Sequence, residues 1–387
     1  MKILFATSEM VPFSKTGGLA DVGGALTKAL SKLGHEVSAV VPFYSVTRQK
    51  EFDIEDMDCT FSAPISDREE YGEIFRTVTD DGVTVYFIGK TAYYDRKELY
   101  GTSKSAYPDN AERFIFFSKA VLELCRTLDH KPDIIHCNDW QTGLVPLYIK
   151  TLLRDEPVFS NTGTLFTIHN MGYLGEFWHL DMHLTNLPWD LFTPDGIEFY
   201  GKISLLKAGI TAADILSTVS PRYAQEIQMP DFGHGLEGIL SKRSERLFGV
   251  LNGVDYDDWN PETDKYLVEN YGPSDLSGKA KCKADILKEF GLPQVNNAPL
   301  LGVISRMTVQ KGFDILAPAM DDILSEGYQF VLLGTGEKKY HALFERMARK
   351  YPERVGVKLA FSNELAHKIE AGADIFMMPS RYEPCGL

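Results

Sequence analysis

Short apolar runs alternate with amphipathic stretches along nearly the whole chain. The run KILFAT, Lys2 to Thr7, predicts a strand covered on both faces, because its apolar residues are continuous instead of alternating. Leu19, Val22, Leu26, Ala29/Leu30 and Leu33 then recur at helical spacing, with Gly34 placed to end that helix and EVSAVVPF to form the next strand. From Cys59 to Ile88 the pattern changes to alternation, as in EIFRTVT and GVTVYFIG, which predicts antiparallel strands added to the sheet. Parallel order resumes with PDIIHCND (strand), WQTGLVPLYIKTLL (helix) and GTLFTIHN (strand). YGKISLLKAGITAA (helix), DILSTVS (strand) and SPRYAQEI (helix) follow, with Ser220 as N-cap and Pro221 in the first helical position.

The theme repeats after a polar stretch rich in Pro and Gly between Asn252 and Asn297. PLLGVISR, YQFVLLGTG, VGVKLAFS and ADIFMMPS predict strands, with helices KGFDILAPAMDDILSEG, EKKYHALFERMARKYP and NELAHKIEAG between them. The expected fold class is therefore α/β, with two doubly wound, Rossmann-like domains facing a cleft. The crossover is placed near Gly249 to Val254, giving domains 1–248 and 249–387. Ligands on such sheets bind beyond the carboxyl ends of the strands, so the loops there are the places to look for chemistry.

Composition narrows the choice of partners. A net charge of −14 over 387 residues argues against a nucleic-acid backbone or an anionic membrane as a general partner. An anionic ligand must then be met by a local cluster of cations. Cys59, Cys125, Cys137, Cys282 and Cys385 are scattered without a C-x-x-C pair, which reads as reduced thiols and neither a disulfide framework nor a zinc site. The N-terminus has no signal-peptide pattern and no run is long enough to span a bilayer, so the expected location is the cytoplasm.

Two loops carry basic residues where phosphates are commonly held. SKTGGLADVGGAL, Ser14 to Leu26, follows the first strand: glycines expose backbone N–H groups, a helix begins at once, and Lys15 adds a full charge. It matches neither a P-loop nor a dinucleotide fingerprint, and a turn whose glycines serve only helix–sheet packing is the competing explanation. SRMTVQKG, Ser305 to Gly312, occupies the equivalent position in the second half, with Arg306 and Lys311. Lys15 and this pair together suit a nucleoside diphosphate leaving group. HCNDW and TIHNMG place Asp139 and His169 at strand ends on the cleft rim, and RYEPCGL places Glu383 after the last strand. Asp255, Asp257 and Asp258 in VDYDDWN imitate a metal-binding D-x-D, but no second ligand cluster accompanies them, so a solvated acidic loop is expected and no metal site is assigned.

KTGGLADVGGAL, HCNDWQTGLVP, TIHNMGYLG, LNGVD, SRMTVQKGFD and SRYEPCGL occur in that order over the whole chain. Together they resemble the bacterial glycogen synthases and plant starch synthases. The resemblance implies a GT-B glycosyltransferase that moves glucose from ADP-glucose to the non-reducing 4-hydroxyl of an α-1,4-glucan, with retention and without a metal or other cofactor. It also implies site residues. Lys15 and the amides of Gly17 and Gly18 would bind the diphosphate, as would Arg306 and Lys311. Asp21, Asn252 and His169 would line the glucosyl site, with Asp139 and Trp140 beside it. Glu383 would be the essential carboxylate, and the amides of Cys385, Gly386 and Leu387 would meet the sugar's 3- and 4-hydroxyls. Glu383, His169 and Asp139 are the catalytic candidates.

Members of that family continue beyond EPCGL, whereas the sequence here stops at Leu387. The expectation is an incomplete second domain, with apolar surface exposed on ADIFMMPS. A nucleotide- or glycan-binding fragment without transfer activity, UDP-glucose as donor, and a nicotinamide dehydrogenase are the alternatives.

Overall fold

The computed structural model describes residues 1–102 and 105–386. The chain divides into two compact units, Met1–Gly253 and Val254–Glu383, and Pro384, Cys385 and Gly386 group with the first.

The first unit is built on a nine-stranded sheet. Its strands are β1 (Lys2–Ala6), β2 (Glu36–Pro42), β3 (Glu55–Ile65), β4 (Arg68–Val78), β5 (Thr84–Gly89), β6 (Ile134–Asn138), β7 (Gly163–Ile168), β11 (Ile215–Thr218) and β12 (Leu247–Gly249). A separate three-stranded sheet, ordered β8-β10-β9, comprises β8 (Glu176–Trp178), β9 (Glu198–Phe199) and β10 (Lys202–Ser204). The large sheet runs β12-β11-β7-β6-β1-β2-β5-β4-β3, with β4 antiparallel to both of its neighbours, β5 and β3, and every other pairing parallel. Chain order therefore reverses at β1: β2 lies on one side and β6 on the other. Such a reversal opens a crevice at the strands' carboxyl ends.

The first helix, α1 (Gly18–Lys32), packs Leu26 and Leu30 on a core of Phe5, Phe13, Phe43, Val85 and Phe87. Gly34 follows it with φ +86°, the left-handed turn the sequence places there. Ser220 caps the last predicted helix of this unit as expected, its hydroxyl accepting from the Tyr223 N–H at 3.0 Å. Two helix expectations need correction. Residues 200–213 are not one helix: Gly201 turns the chain at φ +76°, Lys202–Ser204 form β10, and only Leu205–Ala212 are helical, capped by Ser204. WQTGLVPLYIKTLL likewise breaks into a 3-10 turn, Trp140–Thr142, and a short helix, Leu144–Lys150.

The second unit carries β13 (Leu300–Ile304), β14 (Gln329–Leu333), β15 (Val355–Lys358) and β16 (Ile375–Phe376) in the parallel order β15-β14-β13-β16. The reversal here is at β13. Phe313, Met320, Phe330 and Phe344 fill one side of the sheet, and Ile286, Leu300, Val331 and Ile369 the other. Ile375, Phe376 and Met378 are 46, 38 and 50% exposed, so the strand ADIFMMPS does present the apolar surface the sequence analysis expects. It is also shorter than expected, with only two residues in the ladder.

Candidate functional site

Both reversal points are flanked by the residues singled out from sequence. In the first unit the loop after β1 and the end of β6 meet there. Lys15 Nζ and Asp21 Oδ1 are 2.6 Å apart, so the loop's cation rests against a carboxylate from the first turn of α1. The glycines of this segment divide into two groups. A Cβ on Gly23 would lie 2.9 Å from the Glu9 carbonyl oxygen, and one on Gly24 2.4 Å from a Val11 methyl, so both serve close helix packing. A Cβ on Gly17 would meet nothing within 4 Å. Packing therefore does not require glycine at 17, and the approach of a ligand remains as a reason for it. Gly18 is exposed at the start of α1.

Asp139 and His169 are brought together, but inside the protein and not on its rim: they are 8% and 9% exposed. The Asp139 carboxylate accepts from the His169 N–H at 2.7 Å and from the Asn170 N–H. Asp139 itself has φ +55° and ψ −176°, a backbone state that side chains other than glycine's rarely adopt. Burial pushes its carboxyl up to about 7, against the two amides, and the charge of Glu9 adds to the rise. Burial holds the His169 ring down to about 3, so it is neutral. Asn138 uses its NH₂ on the carbonyls of Ala6 and His136, which leaves its Oδ1 to accept from His169 Nε2 at 2.9 Å. Nε2 thus carries the hydrogen and Nδ1 presents a lone pair.

These groups make opposed contributions to stability. The Asp139 carboxyl binds its proton more tightly in the fold, so its contribution is full below about pH 4 and is lost as pH rises toward about 7. His136 and His169, lowered to about 4 and about 3, contribute above their ordinary value near 6.5 and lose this as pH falls. The histidine effects are common to parent and variant. Asp139→Asn should therefore gain stability relative to the parent as pH rises from about 4 to 7, read from denaturation midpoints across that range. A constant difference over the range would show that the carboxyl titrates normally in the fold.

Trp140 turns away from this pair. Its ring lies 4.8 Å from Phe114 and 5.6 Å from Phe177, and it lines a cavity of about 440 Å³ with Tyr173, Gly175 and Phe177. Asn252 is half-buried on the loop after β12, three strands along the same sheet edge from β6.

In the second unit the loops after β13 and β16 meet at the reversal. Lys311 Nζ lies 2.6 Å from Glu383 Oε1, and the Ser380 hydroxyl donates to the same oxygen at 2.5 Å. Gly312 makes this possible. It has φ +72°, and a Cβ there would lie 1.8 Å from the Pro379 carbonyl oxygen. Arg381 closes the arrangement, its N–H donating to the Gln310 carbonyl and its guanidinium pairing with Asp314. Arg306 is exposed on the Lys311 loop. Pro384, Cys385 and Gly386 group with the first unit, where the Pro384 carbonyl accepts from the Ser220 hydroxyl at 2.7 Å. Leu387 lies outside the described residues. The Asp255–Asp258 loop is largely exposed, and no cluster of three or more His, Cys, Asp or Glu suited to a metal occurs among the described residues.

Sequence reasoning missed Glu9. It is 4% exposed, and its carboxylate accepts from the Thr16 hydroxyl at 2.7 Å, the Thr16 and Gly17 amides, and the Tyr100 hydroxyl at 2.7 Å. The available signal was an acid just after a buried strand and just before a glycine-rich turn.

Comparison with known proteins identifies the family and the fold. Residues 2–242 match the starch synthase catalytic domain, and residues 298–387 match the glycosyl transferases group 1. The glycogen synthase of Koribacter versatilis is 49% identical over 387 residues, covering all of this chain and 79% of that protein. That of Geotalea daltonii is 46% identical, covering all of this chain and 80% of that protein. The chain belongs to the glycogen and starch synthase family. As a member of that family it also shares its fold with the catalytic domain of starch synthase IV from Arabidopsis thaliana, solved bound to ADP and acarbose. The TM-score is 0.92 and the identity 33%, covering all of this chain and 79% of the other. The two-unit glycosyltransferase architecture expected from sequence is thereby shown.

Proposed function

We propose that this chain transfers glucose from ADP-glucose to the non-reducing 4-hydroxyl of an α-1,4-glucan, with retention at the anomeric carbon. The observation that carries the reading is the match along the whole chain to a starch synthase catalytic domain bound to ADP and acarbose. The bond from the anomeric carbon to the diphosphate breaks, that carbon joins the acceptor oxygen in the same configuration, and the acceptor hydroxyl's proton passes to the departing diphosphate oxygen. Positive charge grows on the sugar while negative charge grows on the departing ADP. Lys15, Arg306 and Lys311 are assigned to the diphosphate, where preorganised cations stabilise the separating charge in place of a metal. Glu383 is assigned to the positive sugar. The Nδ1 lone pair or the carbonyl of His169 accepts from a glucosyl hydroxyl, and Asp21 and Asn252 serve the same sugar. The amides of Gly18, Cys385 and Gly386 complete the donors. The aromatic cavity beside Trp140 suits the glucan, since flat rings pack well against the apolar faces of sugars.

The reading puts the protein in the cytoplasm, consistent with five unpaired cysteines and with the lack, among the described residues, of any helix long and apolar enough to cross a membrane. The test is incorporation of radiolabelled glucose into glycogen from ADP-glucose and, separately, from UDP-glucose, each with and without a chelator. Transfer should favour ADP-glucose and persist with chelator present. Preference for UDP-glucose would reassign the donor, loss of activity with chelator would restore a metal, and ADP binding without transfer would leave a binding protein.

A further inference from the structure

The glycine-rich loop after β1 already holds an anion, and that anion belongs to the protein. Glu9 leaves the end of β1 and turns its carboxylate into the start of α1. One oxygen receives the Thr16 hydroxyl and the Tyr100 hydroxyl, each at 2.7 Å. The other receives the Thr16 amide and, at 3.3 Å, the Gly17 amide. Four donors on one buried carboxylate exceed what a packing role needs, and satisfying a buried charge so fully is what permits it to stay charged.

The donors are themselves braced. The Tyr100 hydroxyl also lies 2.8 Å from Ser8 Oγ. The Tyr100 carbonyl accepts from Asn110 Nδ2 at 2.8 Å, and the preceding carbonyl, of Leu99, accepts from the fully buried Arg113 at 2.9 Å. A continuous set of hydrogen bonds therefore runs from the helix Asn110–Thr127 through Tyr100 and Glu9 to the residue beside Lys15.

We propose that Glu9 is the positioning residue of this loop, holding Lys15 and the first turn of α1 in the geometry that receives the donor's diphosphate. The proposal rests on the reading of Lys15 as a diphosphate ligand. It has a chemical corollary: the Thr16 and Gly17 amides are committed to Glu9 in the ligand-free protein, so Lys15 and not these amides makes the first contact with the incoming anion. Protonation would turn one carboxylate oxygen from acceptor to donor and break the set. Burial raises the Glu9 carboxyl, its four donors oppose this, and the other ionisable groups around it are Tyr44, Tyr100, Asp139 and the Lys15–Asp21 pair.

Glu9→Gln keeps the size and removes the charge, and Tyr100→Phe removes one donor and leaves the charge. Binding of ADP is measured by calorimetry against pH, binding of maltoheptaose is measured alongside, and hydrogen exchange is followed at the Thr16 and Gly17 amides. The expected result is ADP binding weakened at least tenfold in Glu9→Gln and a few-fold in Tyr100→Phe, with maltoheptaose binding unchanged. The two amides should exchange faster in Glu9→Gln without any ligand, and the loss of ADP affinity at low pH should be smaller in this variant than in the parent. Unchanged ADP affinity in Glu9→Gln would overturn the proposal, as would a parallel loss of maltoheptaose binding, which marks general destabilisation. Unaltered amide exchange would overturn it even if turnover fell. If the parent itself binds no ADP, both this proposal and the donor assignment fail together; if the parent binds ADP and transfers nothing, only the proposed reaction fails.

Discussion

Glutamine in place of Glu383 is expected to lower kcat for transfer from ADP-glucose by roughly 10²–10³-fold, the scale on which loss of one preorganised charge partner acts. The side chain keeps its length and can still accept from Ser380, so the loop after β16 has no reason to move. What disappears is the negative charge 2.6 Å from Lys311 Nζ. Two roles for that charge can then be separated. If Glu383 only holds Lys311, then Lys311→Met should cost the same in kcat, and the double variant no more than either single one. If it faces the developing positive charge on the sugar, Glu383→Gln should fall mainly in kcat and Lys311→Met mainly in donor KM. A kcat within a few-fold of the parent would remove Glu383 from the reaction altogether.

The second large effect is expected at Lys15. A charge-assisted hydrogen bond to phosphate contributes about 1.5–3 kcal/mol, so Lys15→Gln should raise KM for ADP-glucose by roughly 10–100-fold. The Lys15–Asp21 pair sets a more discriminating comparison. Asp21→Asn leaves Lys15 without its resting partner, so ADP alone should bind as well as before or more tightly, while ADP-glucose loses the carboxylate assigned to its sugar. Measuring Kd for ADP and KM for ADP-glucose in both variants decides it. Unchanged KM in Lys15→Gln would return the loop to a packing turn.

The positions of these residues were legible in the sequence because the fold converts them simply. Apolar runs mark the strands, the residues just after them mark the carboxyl edge, and doubly wound order makes one crevice per sheet. Lys15, Asp139, Lys311 and Glu383 all follow from that argument. Their partners do not. That Lys311 rests on Glu383 depends on a left-handed turn at Gly312 seated under the Pro379 carbonyl, a contact between residues far apart in sequence. Glu9 was invisible because half of what it binds is backbone, which carries no side-chain signature, and the Tyr100 hydroxyl comes from far along the chain. The small sheet of β8, β9 and β10 was hidden in a stretch that also reads as a helix start. The turn at Gly201 separates β9 from β10, and β10 runs straight into the helix that Ser204 caps.

Asp139 leaves one more consequence. Its backbone occupies a region where glycine is at ease and other residues incur on the order of 1–3 kcal/mol, and its carboxyl is buried and raised. Glycine at this position would relieve the backbone and remove the buried acid, but it would also remove the group that fastens His169 and Asn170. Selection for firmness alone would therefore carry position 139 toward glycine, and selection for a working site toward aspartate. A library sorted only for thermal resistance would discard the aspartate that a library sorted for transfer would keep.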